Sequence, residues 1–230
     1  GRPHIEFVPG SKRRHALNYL MREGIDHIDL LILTHLHFDH IGGAAALLHH
    51  IPVKRLMALH LPPEGASWIF APESDEKTIV GMCDALNLFR DITDIAREKG
   101  CACEEATNGD ELLTQRLKLT VYRPDEALAL RQKQAFDALY LGNAATRDEL
   151  FAVSKERNCS SLIIRLEYAL RSVLLTGDSY ASYWEESGQQ RCDILKLPHH
   201  GDGKSMTEKL IKSLAPTYAV ASCQNDTSAK

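Results

Sequence analysis

Residues 31–43 read LILTHLHFDHIGG, and four of their side chains can bind a metal ion. These four, three imidazoles and one carboxylate within six consecutive residues, are His35, His37, Asp39 and His40. This mixture of ligands suits a borderline cation such as Zn²⁺, and also Mn²⁺ or Fe. Four ligands on so short a loop are too crowded for one ion. The pattern therefore predicts two adjacent ions that share them.

The residues on either side of this motif predict a strand before it and a helix after it. Asp29–Leu33 is an almost continuous apolar run, which is typical of a strand buried on both faces. A loop that follows such a strand can direct all four side chains into one pocket. Gly42 and Gly43 allow the backbone to approach closely where the helix begins. The Ala- and Leu-rich stretch Ile41–His50 predicts that helix, which should end before Pro52.

The rest of the chain alternates predicted helices and strands. Helices are predicted over residues 11–22, 75–99 and 206–214, and strands over 53–59, 101–106, 116–122, 161–167, 172–176, 193–197 and 217–222. Residues 124–155 are mixed and polar, and we expect them to be mainly helical. Because the strands at 161–167 and 172–176 form a hairpin, we expect a mixed sheet with helices outside it. No repeat, low-complexity tract or Gly/Ser linker divides residues 1–230, so the sequence predicts one α/β domain.

The composition is that of an ordinary globular protein with 44% hydrophobic residues and a formal net charge of −4. That charge gives no global attraction to nucleic acid or to an anionic membrane. No apolar run approaches the roughly 20 residues that span a bilayer, so we expect no stable membrane contact. The six cysteines contain no Cys-x-x-Cys pair, and we interpret them as buried small hydrophobes. Together with the lack of a secretion-signal pattern at the first residues, this predicts a cytoplasmic protein.

Three further segments, taken with residues 31–43, resemble the metallo-β-lactamase superfamily. They are residues 158–166 (NCSSLIIRL), 174–178 (LLTGD) and 195–201 (LKLPHHG). Their order and spacing are similar to a branch that contains the hydrolase domain of the competence protein ComEC and related stand-alone hydrolases. They also resemble bacterial phosphorylcholine esterases. The resemblance covers roughly residues 20–60 and 155–222, and it implies a four-layer αββα sandwich with metals at the edge between two sheets.

The same resemblance assigns ligands to two divalent ions, Zn²⁺ first, with Mn²⁺ or Fe as alternatives. It implies that His35 and His37 bind the first ion and that Asp39 and His40 bind the second. Asp178 matches the carboxylate that bridges both ions, because each of its oxygens can hold one cation. Asp39 is also expected to orient the attacking hydroxide.

The pair His199-His200, again after a predicted strand, offers one more ligand and one catalytic group. One imidazole is expected to bind a metal, and the other to contact a phosphate or act as general acid. The sequence does not separate the two. We favour His200 as the ligand and His199 as the catalytic residue.

Several positions depart from the pattern of this branch. A histidine usually stands about twenty residues before the bridging aspartate, and here that region carries Asn158, a weaker ligand. Asp202 stands where a serine usually follows His-His-Gly, and no histidine follows His200. The strand pair expected before the first helix is short or missing. We therefore expect a domain that lacks part of its N- and C-terminal elements.

These features predict a metal-dependent hydrolase that uses a metal-activated hydroxide. We expect a phosphodiesterase or phosphoesterase whose substrate is a phosphoester-containing small molecule or a nucleic acid. One alternative is a metal-binding or interaction domain of the same fold with little catalysis. Another is an ester, lactam or thioester hydrolase. The sequence does not fix the oligomeric state.

Overall fold

A computed structural model describes residues 16–71, 77–123, 125–143, 146–186 and 188–223. Its contacts divide the chain into two compact units. The first contains residues 1–105 and 131–155, and the second contains residues 106–130 and 156–230. The predicted helix over residues 11–22 is seen as α1 (Ala16–Arg22), and its first five residues lie outside the described part.

The first unit is built on a parallel sheet of three strands, in the order β1 (Ile28–Leu33), β2 (Val53–Ala58) and β3 (Ala102–Glu105). Parallel neighbours need long crossovers. Helices supply them here: α2 (Phe38–Ile41) and α3 (Ala44–His50) lie between β1 and β2, and α4 (Lys77–Glu98) lies between β2 and β3. Because the strands run in the same direction, the loops after β1 and β2 leave the same edge of this sheet.

The core of the first unit centres on α4. Ile79, Met82, Leu86 and Phe89 are almost fully buried at helical spacing, as expected of an amphipathic helix. Each such side chain contributes about 1.5–3 kcal/mol through burial. Residues 131–140 of α5 (Glu126–Tyr140) and α6 (Arg147–Lys155) complete the unit, in the region that the sequence predicted to be mainly helical.

The second unit is built on a mixed sheet of six strands. In spatial order they are β4 (Glu111–Leu113), β5 (Leu117–Tyr122), β6 (Ile163–Tyr168), β7 (Arg171–Leu175), β8 (Ile194–Lys196) and β9 (Tyr218–Val220). The first three pairs are antiparallel and the last two are parallel. The predicted hairpin is present as β6 and β7, with Leu166 opposite Val173. The short helices α7 (Ala181–Trp184) and α8 (Glu208–Leu214) pack apolar side chains on this sheet.

Two details differ from the sequence prediction. The helix expected over Ile41–His50 begins three residues later, as α3, and the separate one-turn helix α2 precedes it, with Gly42 and Gly43 forming the turn between them. The strands expected over residues 101–106 and 116–122 were interpreted as joined through the turn at residues 108–110. That turn instead leads into β4, a strand too short to show a pattern, and β3 and β5 belong to different sheets.

The burial of most cysteines agrees with their interpretation as small hydrophobes. Four of the six cysteines are buried, and burial raises the pKa of the Cys101 thiol to about 11, which keeps that thiol protonated near neutral pH. None of the helices within the described ranges is both long and apolar enough to cross a bilayer. That residues 1–230 form a single domain stays a prediction.

Candidate metal centre

The loop after β1 holds two imidazoles with their nitrogens facing each other. His35 is buried, with 2% of its surface exposed, and its Nδ1 lies 3.2 Å from Thr34 Oγ1. This contact turns His35 Nε2 toward His37 Nδ1, at a distance of 3.1 Å. Two nitrogens that bind one tetrahedral Zn²⁺ at about 2.0–2.1 Å lie about 3.3–3.4 Å apart. The observed distance is slightly shorter than this and is also that of a hydrogen bond between the rings. The two atoms are therefore close enough to share one ion.

The one-turn helix α2 brings Asp39 and His40 to the same cluster. Backbone bonds from His40 N and Ile41 N to His37 O, both 2.9 Å, close the turn. Ile41 is fully buried, which anchors the turn to the core. The His40 ring lies 4.1 Å from the His35 ring, and His40 Nε2 lies 3.6 Å from Asp39 Oδ2. All four donors of the motif therefore lie together within the first unit.

In the second unit, Asp178 is held in a tight loop after β7. Its side chain is 2% exposed, and its backbone N–H donates to Ser161 Oγ at 3.2 Å. The residues before it are tied to β8, since Thr176 Oγ1 donates to Lys196 O and Lys196 Nζ donates to Gly177 O, both at 2.7 Å. Lys196 Nζ also lies 3.6 Å from Asp178 Oδ1. A buried carboxylate is thus fixed in place beside a positive charge.

The parallel neighbour of β7 brings His200 to the same place. After β8, the turn His199–Gly201 carries both histidines at positive φ, 46° and 60°. His200 Nδ1 lies 2.9 Å from Ser222 O, and its Nε2 lies 3.5 Å from Asp178 Oδ2. Because a carbonyl oxygen only accepts, a proton belongs on Nδ1, and Nε2 is the nitrogen that faces Asp178. Metal-binding histidines are commonly oriented in this way.

His199 has different surroundings. Its Nδ1 lies 3.1 Å from Tyr180 Oη and 3.3 Å from Asp202 Oδ2, and its ring lies 6.1 Å from that of His200. Burial, and then the charge of Asp202, raise the pKa of Tyr180, so its hydroxyl keeps its proton. Sequence reasoning missed Tyr180, because a tyrosine two residues after an aspartate carries no distinctive signal.

Asn158, at the position where a histidine was expected, is also in the second unit. Its side chain hydrogen-bonds to the Tyr180 hydroxyl. Its buried Oδ1 accepts no hydrogen bond from any residue in the described ranges. A buried oxygen without a donor costs free energy unless a cation or water meets it, so Asn158 has the chemistry of a weak ligand.

The site residues thus form two sets. The first unit holds His35, His37, Asp39 and His40, and the second unit holds Asp178, His199 and His200. The donor chemistry of both sets suits divalent cations.

The family model described as the metallo-beta-lactamase superfamily matches residues 8–224. The chain belongs to the metallo-β-lactamase superfamily. Members of this superfamily are generally hydrolases that bind divalent metal ions, often two. The resemblance and the α/β fold predicted from the motifs are confirmed.

The relatives differ in their sequence identity to this chain and in how much of each protein the similarity covers. ComE operon protein 3 of Bacillus subtilis (strain 168) is 32% identical over 213 residues, which are 89% of this chain and 21% of that protein. The chain therefore spans about a fifth of the length of this curated relative. Two solved structures are more distant, at 14% identity each. The diiron β-hydroxylase CmlA from Streptomyces venezuelae has a TM-score of 0.43, over 93% of this chain and 38% of that one. An isothiocyanate hydrolase from Delia radicum gut bacteria has a TM-score of 0.44, over 96% and 74%.

Proposed function

We propose that this chain is a metal-dependent phosphodiesterase with a dinuclear centre. The proposed ligands are His35, His37, Asp39, His40, Asp178 and His200. The observation that carries the proposal is the orientation of the donor atoms within each set. His35 Nε2 lies 3.1 Å from His37 Nδ1, and His200 is turned by a backbone carbonyl so that its Nε2 faces the buried Asp178.

Two divalent ions would draw ligands from both sets. His35 and His37 would hold one ion, and Asp39 and His40 would hold the other. Asp178 would supply a carboxylate oxygen to each ion, and His200 would be a further ligand of the second. We propose Zn²⁺ first, with Mn²⁺ or Fe as alternatives. Divalent cations in such a site lower the pKa of water and neutralise the charge that develops on the substrate.

Positive and proton-donating groups beside Asp178 favour an anionic substrate. The Lys196 ammonium lies 3.6 Å from the carboxylate, and it can attract a phosphate group as a point charge. The resemblance of residues 158–166, 174–178 and 195–201 to phosphoesterase-like members supports a phosphate as that anion. We therefore propose phosphodiesters, either in a small molecule or in a nucleic acid, as the substrate class.

The side chains then have separate roles in hydrolysis. Asp39, which is about half exposed, accepts a hydrogen bond from the attacking water and orients it. The water releases one proton to solvent, and the resulting hydroxide oxygen forms the new bond to phosphorus as the bond to the leaving oxygen breaks. The electron pair of that bond goes to the leaving oxygen, and His199 protonates it.

A metal-dependent assay tests this proposal. The metal-free chain is incubated with Mn²⁺ or Zn²⁺ and bis-p-nitrophenyl phosphate. We expect turnover only with metal, and a loss of at least about 100-fold in Asp178→Asn, because removal of one electrostatic group commonly costs that much. Asp84→Asn, which changes an exposed carboxylate on α4, is the matched control and should retain activity. If neither metal supports diester turnover while an ester, thioester or lactam is hydrolysed, the substrate class is wrong.

Asn158 favours a second candidate function, a metal-binding or interaction domain with little catalysis. An amide oxygen binds a metal more weakly than an imidazole, so a site that depends on it holds its ion less firmly. This candidate predicts at most one bound ion and no turnover of any substrate in the panel above.

A further inference from the structure

Asp202 places a carboxylate in the turn that follows His199 and His200. The turn fixes its backbone on both sides, because Asp202 N donates to His199 O at 3.0 Å and Ser205 N donates to Asp202 O at 2.9 Å. The buried Ser205 hydroxyl lies between Asp202 O, at 2.6 Å, and Pro198 O, at 3.0 Å. Asp202 therefore has a defined position in the turn.

Both oxygens of this carboxylate have a partner within the turn. Oδ1 accepts a hydrogen bond from Lys204 N at 3.1 Å, and Oδ2 lies 3.3 Å from His199 Nδ1. The negative charge is therefore held beside the imidazole, although 37% of the side chain is exposed. In the proposed reaction His199 contacts the leaving oxygen. That oxygen then lies one imidazole ring and one hydrogen bond beyond, within about 9 Å of the carboxylate.

The Tyr180 hydroxyl gives a second observation of this charge. Burial, then the charge of Asp202 and, more weakly, the charge of Asp178 raise the pKa of Tyr180. The phenol ring also packs near His199, with 5.4 Å between ring centroids. The fields of the two carboxylates therefore overlap beside the imidazole that meets the leaving oxygen.

We infer that Asp202 is a specificity-determining residue, whose negative charge makes the site prefer a phosphodiester, with one negative charge, to a phosphomonoester, with two. This inference rests on the proposed function and narrows its substrate class. Lys196, 3.6 Å from Asp178, attracts a phosphate, and Asp202 limits how much negative charge the site accepts. The direction is the same whether or not His199 is protonated, because removal of the carboxylate makes the site more positive by one charge in either case.

The first measurement compares p-nitrophenyl phosphate with bis-p-nitrophenyl phosphate in the metal-loaded chain. At about pH 8 the monoester carries two negative charges and the diester carries one. Because both esters release p-nitrophenolate, a change in proton transfer from His199 affects them alike and cancels in the ratio of their kcat/KM values. Asp202→Asn keeps an oxygen for Lys204 N and removes the charge. We expect it to raise the monoester-to-diester ratio about 2- to 20-fold, the effect of one unit charge at about 9 Å for effective dielectric constants of about 80 to 20.

Two further variants separate the charge of Asp202 from its shape and from a general loss of charge. Asp202→Glu keeps the charge and should keep the wild-type ratio. Glu167→Gln is the matched control and should also leave the ratio unchanged. The Glu167 side chain is 39% exposed, close to the value for Asp202, and Glu167 pairs with Ser172 at the end of β7 opposite to Asp178. Salt adds a check on mechanism, because the Debye length falls from about 10 Å at 0.1 M to about 3 Å at 1 M. The effect of Asp202→Asn should therefore shrink at high salt.

The second measurement is of binding, which does not depend on turnover. The metal-loaded chain is titrated calorimetrically with dimethyl phosphate, a monoanion, and with methylphosphonate, a dianion above neutral pH. Asp202→Asn should strengthen the binding of the dianion more than that of the monoanion. An unchanged ratio in Asp202→Asn, an equal change in Glu167→Gln, or binding of neither anion by wild type would overturn the inference. If wild type binds both anions but hydrolyses neither ester, the proposed function fails, and the ratio of binding constants alone decides the role of Asp202.

Discussion

At the scale of single residues, Gly177 decides where Asp178 can lie. Its φ is +51°, a conformation that side chains with a Cβ rarely adopt. A Cβ at this position would also lie 2.8 Å from Ser161 Cβ, closer than carbon atoms pack. Since Ser161 Oγ accepts the hydrogen bond from Asp178 N, any shift of Ser161 moves the proposed bridging carboxylate.

Gly177→Ala should therefore destabilise the chain by about 2–4 kcal/mol, through both the strained φ and the contact with Ser161. The free energy of unfolding in urea measures the loss. Gly109→Ala is the matched control in the same unit, because Gly109 has φ +87° but open space around its missing Cβ. It should lose only about 1 kcal/mol. Equal losses in the two variants would show that the contact with Ser161 has no effect.

Some candidate site residues form a local sequence pattern, and others depend on contacts that exist only in the folded chain. The cluster from His35 to His40 could be singled out, because four side chains able to bind metal within six residues form a pattern that chance rarely produces, and their role as ligands stays a prediction. The choice between His199 and His200 was not predictable. It depends on Ser222 O and Asp202 Oδ2, whose positions are set by the turn after β8.

At the scale of elements, α4 fixes the loop that follows β2. Asn87 on this helix is 2% exposed, and its side chain makes two bonds of 2.8 Å to the backbone of Ile69, one to the N–H and one to the carbonyl. A side-chain amide can pair with a backbone residue in this way because it carries one donor and one acceptor group. The neighbouring Trp68 is thereby held at the surface, with the Arg90 guanidinium 5.1 Å from its ring.

Asn87→Ala should cost about 2–4 kcal/mol, because it leaves a buried N–H and a buried carbonyl of Ile69 without partners. Asp84→Ala, at an exposed position of the same helix, should change stability by less than about 0.5 kcal/mol. Tryptophan emission reports on the loop directly. The chain has two tryptophans, and Trp184 is buried, with 1% exposed. If folded Asn87→Ala has the same tryptophan emission spectrum and the same free energy of unfolding as wild type, Asn87 does not hold the loop.

The elements that the sequence predicted well are those with a strong pattern. The apolar run of β1 and the hairpin of β6 and β7 were found within two residues of their bounds. The strand β4 was missed, since its three residues are defined by pairing with β5 and not by their own composition. The break between α2 and α3 was missed although Gly42 and Gly43, both poor helix formers, mark it in the sequence, because the glycines were included in the predicted helix.

At the scale of the whole molecule, the family follows from motifs spread along the chain. The matched region covers residues 8–224, and it includes every proposed ligand. The ligands belong to two units, so a shared dinuclear centre requires that side chains distant in sequence meet at the same ions. Local patterns predicted each set separately. The substrate class depends instead on the few groups around Asp178, which are not visible in the bulk composition.

The central claim is that the two sets of ligands form one dinuclear centre, and native mass spectrometry of the metal-loaded chain tests it most directly. Wild type should carry two Zn²⁺ or Mn²⁺ ions per chain, because its six proposed ligands supply two sites with one shared carboxylate. Asp178→Ala should carry one ion or none, while Asp84→Ala should keep two. A wild-type chain with fewer than two ions, or an Asp178→Ala chain that keeps both, would contradict the account.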